Sequence, residues 1–287
     1  MRTGEYSVMA ERVAVTRALH QLVDETPRVF EDPLAVRIIG PENERWVRDS
    51  ADSQRSDISR QVRAMICIRA RFAEDELAKA IAAGATQYVV LGAGLDTFAY
   101  RRVDLGGRVA IFEVDHPATQ EWKRGRLAEA GIEIPKHLHF VPVDFTSQRL
   151  SDCLATAGFR RDQPAFFSWL GVTYYLPRES VAETLGYIAS QSAHSQVVFD
   201  YAVAKSDLPE QGRNAWDKFN SFTSRVGEPW QTSYALAELI AHLKDLGFTE
   251  VSPLTPEQAN ERYLAGRTDL PRIGPFVGLI SAGHRPG

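Results

Sequence analysis

Two glycines follow the first strongly apolar run of the chain, in the stretch YVVLGAGLDTFAYRR (88–102). Glycine at the end of a strand lets the backbone approach a ligand closely or adopt a positive φ. In an open α/β sheet, the carboxyl end of the first strand borders the point where nucleotide-like ligands bind. Gly92, Ala93 and Gly94 are therefore predicted to form a cofactor loop, and Asp96 just beyond it is predicted to bind the cofactor with them.

The loop lacks features that a dinucleotide requires. The fingerprint G-x-G-x-x-G would place glycine at position 97, where the chain has Thr97. The negative charge of Asp96 also disfavours a diphosphate at the start of the next helix. A ligand with adenosine, no phosphate and a positive group fits better, and S-adenosylmethionine is such a ligand. A glycine turn without a ligand stays an alternative, because GxG after a strand is a weak signal alone.

Acidic residues end the next two predicted strands. The segment FEVDHP places Glu113 and Asp115 where a carboxylate accepts hydrogen bonds from both ribose hydroxyls. The segment VPVDF places Asp144 to accept a hydrogen bond from the adenine amino group, while Phe145 offers a backbone N–H and an apolar face. Each acid alone is a weak signal, but in series they support an adenosine site.

An arginine interrupts an apolar stripe in the N-terminal part of the chain. The stripe follows helical spacing and consists of Ile58, Val62, Met65, Arg69 and Phe72. A buried guanidinium needs a partner, and its planar fork matches a carboxylate such as the methionine end of the cofactor presents. The alternatives are an ion pair with a protein acid such as Glu74 or Asp75, or an aliphatic stem that carries the charge out to water.

The predicted elements around these residues indicate an α/β fold. Helices alone are predicted over 1–84, within 7–25, 31–39 and 56–84, and this part is expected to be a helical cap. From 85 to 287 five apolar runs alternate with helices, which predicts a mostly parallel sheet covered on both faces. A break at about 203–232 predicts a helical insertion after the fifth strand. The polar segment before the last strand is a poor crossover helix, so that strand is expected to run antiparallel.

Composition excludes several classes of partner. The 287 residues carry a net charge of −4, with no basic excess for nucleic acid or an anionic membrane. Lys123, Arg124 and Arg126 are predicted to lie on the solvated face of a helix. Cys67 and Cys153 have no CxxC partner, which favours a reducing compartment. With no long apolar run and no metal-ligand spacing among seven scattered histidines, we expect a cytoplasmic protein without a metal site, as a monomer or homodimer.

The whole chain resembles the leucine carboxyl methyltransferase superfamily, in particular its bacterial branch of polyketide-type small-molecule O-methyltransferases. The resemblance is carried by IRARFAEDEL, GATQYVVLGAGLDTFAYRR, FEVDHP, VPVDF and SWLGVTYYLP. It implies a class I methyltransferase sheet of Rossmann-like type, a helical cap, S-adenosylmethionine as cofactor and a role in secondary metabolism. It also implies site roles: Arg69 for the cofactor carboxylate, the Gly92–Gly94 loop for the methionine portion, Asp115 for the ribose, and Asp144 with Phe145 for adenine.

One departure bears on the acceptor. Members that act on the protein-phosphatase C-terminus carry glutamate where this chain has Leu170, so a small, more apolar acceptor is favoured. Its pocket is expected between the strand ends and the cap. The predicted walls are aromatic, although core packing is the alternative for those in the insertion: Tyr174, Tyr175, Tyr201, Trp216, Phe219 and Phe222.

Methyl transfer is an in-line displacement at a sulfonium, so the enzyme mainly aligns the reactants and excludes water. A carboxylate acceptor, with a pKa of about 4, is already ionised, whereas a phenol, with a pKa of about 10, needs a base. His116, beside the ribose acid, is the candidate base. The favoured function is carboxylate O-methylation of a small metabolite. The alternatives are hydroxyl O-methylation, a nicotinamide oxidoreductase, which Thr97 and the lack of a Tyr-x-x-x-Lys pair disfavour, and a non-catalytic binding protein.

Overall fold

The centre of the protein is a seven-stranded sheet. The computed structural model describes residues 6–50, 53–144, 147–192, 194–225 and 227–284. The strands are β1 (Gln87–Leu91), β2 (Ala110–Asp115), β3 (Leu138–Pro142), β4 (Ala165–Trp169), β5 (Gln196–Ala202), β6 (Glu250–Leu254) and β7 (Val277–Gly283). Their order in the sheet is β3-β2-β1-β4-β5-β7-β6. The first five strands pair in parallel, and β7 runs antiparallel to β5 and β6, so the predicted α/β sheet and its antiparallel last strand are confirmed.

Both faces of the sheet are covered. Every residue of β1 and β4 is buried, which explains why these strands are mostly apolar rather than alternating, with Gln87 and Ser168 as the polar exceptions. Successive side chains enter opposite cores: Val90 packs into one, and Val89 and Leu91 pack into the other. This alternation decides which residues at the strand ends can reach a ligand.

The described residues before the sheet form the α-helices α1 (Val8–Val23), α2 (Ala35–Ile38), α3 (Gly40–Ser50) and α4 (Asp57–Ala82). Ser7 and Ser56 cap α1 and α4, each accepting a backbone N–H with its hydroxyl oxygen. The sequence pattern did not predict α3. Helix α4 packs directly on β4 and β5 of the sheet. The division of the chain into a cap over 1–84 and a core over 85–287 stays a prediction.

The remaining helices connect the strands: α5 (Phe98–Arg101), α6 (Pro117–Glu129), α7 (Leu150–Thr156), α8 (Arg178–Ala189), α9 (Glu210–Arg225), α10 (Leu236–Asp245) and α11 (Pro256–Tyr263). Helix α9 lies in the segment expected to be an insertion after β5, and the limits of that insertion stay a prediction. Helix α11 forms in the polar segment before the last strand, which was expected to be a poor crossover helix. Thr255 and Gln258 stabilise its start with a reciprocal capping box. Within the described ranges, every helix is too short or too polar to cross a membrane.

Candidate functional site

A cavity of about 800 Å³ lies at the carboxyl ends of the parallel strands. The residues that end β1, β2 and β4 form its floor. Helices α1 and α4 form two walls, and α9 with the loop that follows it forms a third. Ligands of open α/β sheets bind at this edge, so the cavity is the candidate site.

The glycine loop after β1 takes a conformation that requires glycine. Gly92 and Gly94 have φ of +70° and +45°. A Cβ on Gly92 would lie 2.3 Å from Cγ2 of Val172, so no side chain fits there. The loop bends back onto β2, because the N–H of Gly94 donates to Oδ2 of Asp115 over 2.6 Å. The backbone of the loop therefore faces the cavity, with Gly92, Ala93 and Gly94 in its wall.

Position 97, where a dinucleotide fold has its third glycine, has a structural role. The Thr97 hydroxyl donates to Oδ2 of Asp32 over 2.7 Å and accepts from Nε of Arg101 over 3.0 Å. Arg101 also pairs with Glu74 at 2.5 Å. Asp96 caps the start of α5 by accepting from the N–H of Phe98, and it lies in the cavity wall. These bonds anchor the loop to the N-terminal helices.

Asp115 ends β2 inside the cavity wall. Burial raises its pKa, and hydrogen bonds from the N–H groups of Gly94 and His116 oppose that effect. These two N–H groups bind different carboxylate oxygens, at 2.6 Å and 2.7 Å. Since each carboxylate oxygen accepts more than one hydrogen bond, Asp115 can still accept from ribose hydroxyls.

Glu113, two residues earlier on the same strand, does not reach the cavity wall. Its carboxylate is 2.6 Å from Nζ of Lys123, and both side chains are only 1% exposed. The Tyr100 hydroxyl donates to the same carboxylate. Burial raises the pKa of Glu113 to about 7, against the opposing effect of Lys123. Two expectations are therefore corrected: Glu113 does not bind the ribose, and Lys123 is not on a solvated face, because α6 packs that side chain against β2.

Arg69 lies at the junction of α4, β4 and β5. Its Nη1 donates to Oδ2 of Asp200 over 2.8 Å and to the Tyr174 hydroxyl over 3.1 Å. The protein acid beside it is thus Asp200, and not Glu74 or Asp75. Burial is the largest single influence on Arg69 and lowers its pKa, but the Asp200 carboxylate and the two tyrosines Tyr174 and Tyr175 together raise the pKa above its ordinary value, so Arg69 stays protonated. The same side chain also lines the cavity, as the cofactor prediction requires.

The predicted adenine site is described in part. Asp144 follows β3 and lies in the cavity wall. Its backbone N–H donates to Oε1 of Gln148 over 2.9 Å. Phe145 lies outside the described residues, so its predicted contact with adenine stays a prediction.

The predicted aromatic walls are brought together only in part. Tyr174, Tyr175, Phe219 and Phe222 line the cavity. Tyr201 and Trp216 are not among the described wall residues, and both predictions are corrected. The side chain of Tyr201 belongs to the core on the other face of the sheet and packs against Gly278, where a Cβ would lie 2.4 Å from its ring. The ring of Trp216 lies edge-on to the ring of Trp230, and Trp230 is the one of the two that lines the cavity.

His116 is the first residue after β2 and caps α6. Its Nδ1 accepts from the N–H of Ala118 over 3.3 Å. The side chain lies in the cavity wall beside Asp115, at the end predicted to hold the ribose. In the parts of the chain that the structure describes, no group of three or more His, Cys, Asp or Glu side chains could hold a metal.

Sequence reasoning missed many of the wall residues, and Arg12, Arg17 and Trp230 are among them. Arg17 is 5% exposed, donates to the carbonyl of Leu95 over 2.5 Å and lies 3.4 Å from Asp32. Arg12 is exposed, and its guanidinium lies 4.6 Å from the ring centroid of Phe222. The signal for Arg17 was available, because it falls between buried residues of α1, as Arg69 does on α4. Arg12 gave no signal, since its contact depends on α9.

Comparison with known proteins agrees with this geometry. The family model described as leucine carboxyl methyltransferase matches residues 10–189. A Bacillus subtilis (strain 168) protein, YktD, provisionally named an S-adenosyl-L-methionine-dependent methyltransferase, is 33% identical over 94% of this chain and 95% of its own length. A Saccharopolyspora erythraea protein with the same provisional name is 31% identical over 70% of this chain and 69% of its own.

The fold has a counterpart among solved structures. A crystal structure from Thermobifida fusca, provisionally titled a methyltransferase, has a TM-score of 0.57 at 17% identity and covers 99% of this chain and 97% of that chain. At that identity the likeness concerns the fold alone. The sequence relatives support a methyltransferase rather than a nicotinamide oxidoreductase or a non-catalytic binding protein. The chain therefore belongs to the leucine carboxyl methyltransferase family of S-adenosyl-L-methionine-dependent methyltransferases.

Proposed function

We propose that this methyltransferase transfers the methyl group to a carboxylate oxygen of a small metabolite with an apolar body. In this proposal Arg69 binds the carboxylate of the cofactor, and the loop 92–94 faces its methionine portion. Asp115 accepts hydrogen bonds from the ribose, and Asp144 accepts one from adenine. The positions of all these groups in one cavity wall support the assignment.

The observation that carries the carboxylate acceptor is the charge of Arg12. Of the arginines in the cavity wall, Arg17 lies 3.4 Å from Asp32 and Arg69 lies 2.8 Å from Asp200. Among the described residues, no acid forms an ion pair with Arg12, which lies over the ring of Phe222 instead. A cation on an aromatic wall suits a ligand that has both a negative charge and an apolar body.

The chemistry requires alignment rather than a base. S-adenosylmethionine, when bound, supplies a methyl group on a positively charged sulfur. The ionised acceptor oxygen forms the new bond to the methyl carbon while the carbon–sulfur bond breaks, and its electron pair stays on sulfur. No proton moves. Burial raises the pKa of Tyr174 and of Tyr175, so both stay protonated and cannot act as bases near neutral pH. The Tyr174 hydroxyl already donates to Oδ2 of Asp200, so Tyr175 is the one of the two that can donate a hydrogen bond to the acceptor.

Hydroxyl methylation is the second candidate, and the observation that favours it is the place of His116 in the cavity wall. Because its Nδ1 accepts the N–H of Ala118, the proton of the neutral ring is on Nε2, so His116 could take the proton of the acceptor only through Nδ1 and with loss of that hydrogen bond. The position of His116 beside Asp115, at the end assigned to the ribose, is the reason to rank this candidate second.

The test uses tritium in the methyl group of S-adenosylmethionine. The enzyme is incubated with a library of small carboxylic acids and a matched library of phenols and alcohols, and each product is treated with mild alkali. A methyl ester releases volatile tritiated methanol, whereas a methyl ether keeps its label. Labelling of phenols or alcohols alone, with products stable to alkali, would refute the carboxylate proposal and leave the methyltransferase assignment in place.

A further inference from the structure

We propose that Asp200 is a positioning residue for cofactor binding: it holds one edge of the Arg69 guanidinium so that the other edge faces the cofactor carboxylate. The inference rests on the proposed role of Arg69. Asp200 is not a catalytic residue in this proposal, because it acts through the arginine.

The Asp200 carboxylate joins three parts of the fold. It is fully buried near the end of β5. One of its oxygens accepts Nη1 of Arg69 over 2.8 Å, and the other accepts the N–H of Gly171 over 2.7 Å. Its backbone carbonyl accepts the Thr173 hydroxyl over 2.5 Å. Helix α4 and the turn after β4 are thus fixed to β5 through this one residue.

The contacts of Arg69 are one-sided. Its hydrogen bonds to described residues, to Asp200 and to Tyr174, both use Nη1. The guanidinium lies over Gly171, where a Cβ would be 2.8 Å from Nη2, and Gly171 has φ of +76°. A guanidinium has five N–H donors in a fixed plane, so the donors on Nη2 and Nε are left for a planar, bidentate partner.

This arrangement prepares the site before the cofactor arrives. A buried cation without a counter-charge is strongly unfavourable, so an unpaired Arg69 would turn towards water or another acid. Asp200 compensates the charge and fixes the orientation at the same time. The cofactor carboxylate then meets an arginine whose rotational freedom is already lost, which lowers the entropic cost of binding.

The test compares two ligands that differ at the relevant end. S-adenosylhomocysteine has the amino-acid carboxylate, and 5′-methylthioadenosine has the same nucleoside without it. The variant Asp200→Asn keeps the shape but places an amide donor against either Gly171 N–H or Arg69. We expect calorimetry to show a loss of about tenfold in affinity for S-adenosylhomocysteine, or about 1.4 kcal/mol. The affinity for 5′-methylthioadenosine should stay within about twofold, as should both affinities in the exposed control Asp207→Asn.

A second variant keeps the proposal testable where Asp200→Asn does not fold. Arg69→Lys retains the ion pair with Asp200, but a single ammonium cannot at the same time present a planar pair of N–H donors to the cofactor carboxylate. We expect the same selective loss of S-adenosylhomocysteine affinity. Wild-type affinity for S-adenosylhomocysteine in Arg69→Lys would overturn the two-edged geometry.

The other outcomes are also decisive. Equal losses for both ligands in Asp200→Asn would show a general loosening of the fold and overturn the proposal. Tighter binding of S-adenosylhomocysteine would show that Asp200 competes with the cofactor carboxylate for Arg69, which is the opposite role. Failure of the wild-type protein to bind S-adenosylhomocysteine would instead contradict the proposed function itself.

Discussion

Charged side chains in the interior of this protein have identifiable counter-charges, and those pairs shape the site. Arg69 is paired with Asp200, and Lys123 with Glu113. Arg69 of the first pair lines the cavity, and the second pair lies between β2 and α6. A buried pair contributes little net stability, but removal of one partner is costly because the other is left buried and uncompensated. The two pairs therefore give sharp expectations for single substitutions.

Arg69→Ala should weaken S-adenosylhomocysteine binding far more than Arg71→Ala. Truncation of a buried, hydrogen-bonded charge costs on the order of 2–5 kcal/mol, or roughly 1.5 to 3.5 decades in affinity. The Arg71 side chain is 48% exposed and pairs with Asp75 on the surface, where an ion pair is worth about 1 kcal/mol or less. Calorimetry on both variants, with thermal unfolding to verify the fold, makes the comparison. Similar affinities in the two variants would remove Arg69 from the site.

Glu113→Gln should change how stability depends on pH. Burial raises the pKa of Glu113 to about 7 from an ordinary 4.5, so the folded state binds this proton more tightly than the unfolded state. The wild-type protein therefore loses stability as pH rises from about 4.5 to about 7, by on the order of 3 kcal/mol at 1.36 kcal/mol per pKa unit. The glutamine variant has no such group.

The measurement is denaturant unfolding of both proteins between pH 4.5 and 8. The difference in unfolding free energy should move in favour of Glu113→Gln as pH rises, and then stay constant above about pH 8. Glu121→Gln, an exposed change on the same α6, should show no trend. A difference that moves in favour of the wild-type protein would show that Lys123 keeps Glu113 ionised.

The residues of β5 show what the sequence could and could not predict. Helical spacing identified Arg69 as buried, and the position of Asp115 at a strand end marked it as facing the ligand. The partner Asp200 is 131 positions from Arg69, and no local pattern joins them. Neighbours on a strand face opposite sides, so Asp200 reaches the cavity side while Tyr201 enters the other core. The apolar run of β5 does not show whether its odd-numbered or its even-numbered residues face the ligand. The prediction for Tyr201 was wrong for that reason.

At the scale of elements, α1 forms one wall of the cavity and also contacts α9 and the loop after α9, which form another wall. Its first turn is held by the loop after α9: the Glu228 carboxylate accepts the Ser7 hydroxyl over 3.0 Å and the N–H of Met9 over 3.3 Å. One turn later Arg12 lies over Phe222 of α9. Periodicity predicted α1, but contacts between α1 and this loop are more than 200 positions apart and have no local signature.

Glu228→Gln should loosen the start of α1. A carboxylate at a helix N-terminus stabilises it by about 0.3–1 kcal/mol, and the amide oxygen that replaces it carries no charge. Hydrogen exchange of residues 8–12 should accelerate by about two- to fivefold, which corresponds to that energy range, while exchange of β1 stays unchanged. Glu179→Gln, at an exposed position in the first turn of α8, is the control. Unchanged exchange at the start of α1 would show that Glu228 does not restrain it.

At the scale of the whole molecule, the sheet and the helices α1, α4 and α9 enclose a cavity in which the proposed cofactor region lies beside the proposed aromatic acceptor region. The mostly parallel sheet and its covered faces followed from the alternation of strands and helices, and so did the place of the glycine loop, whereas the strand order was not predicted. The acceptor region did not, because its walls come from α1, α9 and the turn after β4, which are distant in the chain. The acceptor region is also where the choice between carboxylate and hydroxyl chemistry is made.

That choice predicts the pH dependence of the methyl-transfer step. A carboxylate with a pKa of about 4 is ionised throughout pH 6–9, so the single-turnover rate with an acceptor from the carboxylic acid library should be nearly flat in this range. A phenol, with a pKa of about 10, would give a rate that climbs about tenfold per pH unit until the base or the acceptor is ionised. Because burial raises the pKa values of the wall tyrosines Tyr88, Tyr174 and Tyr175, none of them supplies a base in this range.

His116→Ala separates the two cases. If the acceptor is a carboxylate, the variant should keep most of its single-turnover rate and the same flat profile, since no proton is transferred. The N–H of Ala118 loses its cap, so a modest loss of stability of about 0.5–2 kcal/mol is expected, and the rate must be measured on protein that thermal unfolding shows to be folded. A steep wild-type profile that His116→Ala abolishes, together with a product stable to alkali, would instead assign the acceptor oxygen to a hydroxyl and His116 to the role of its base.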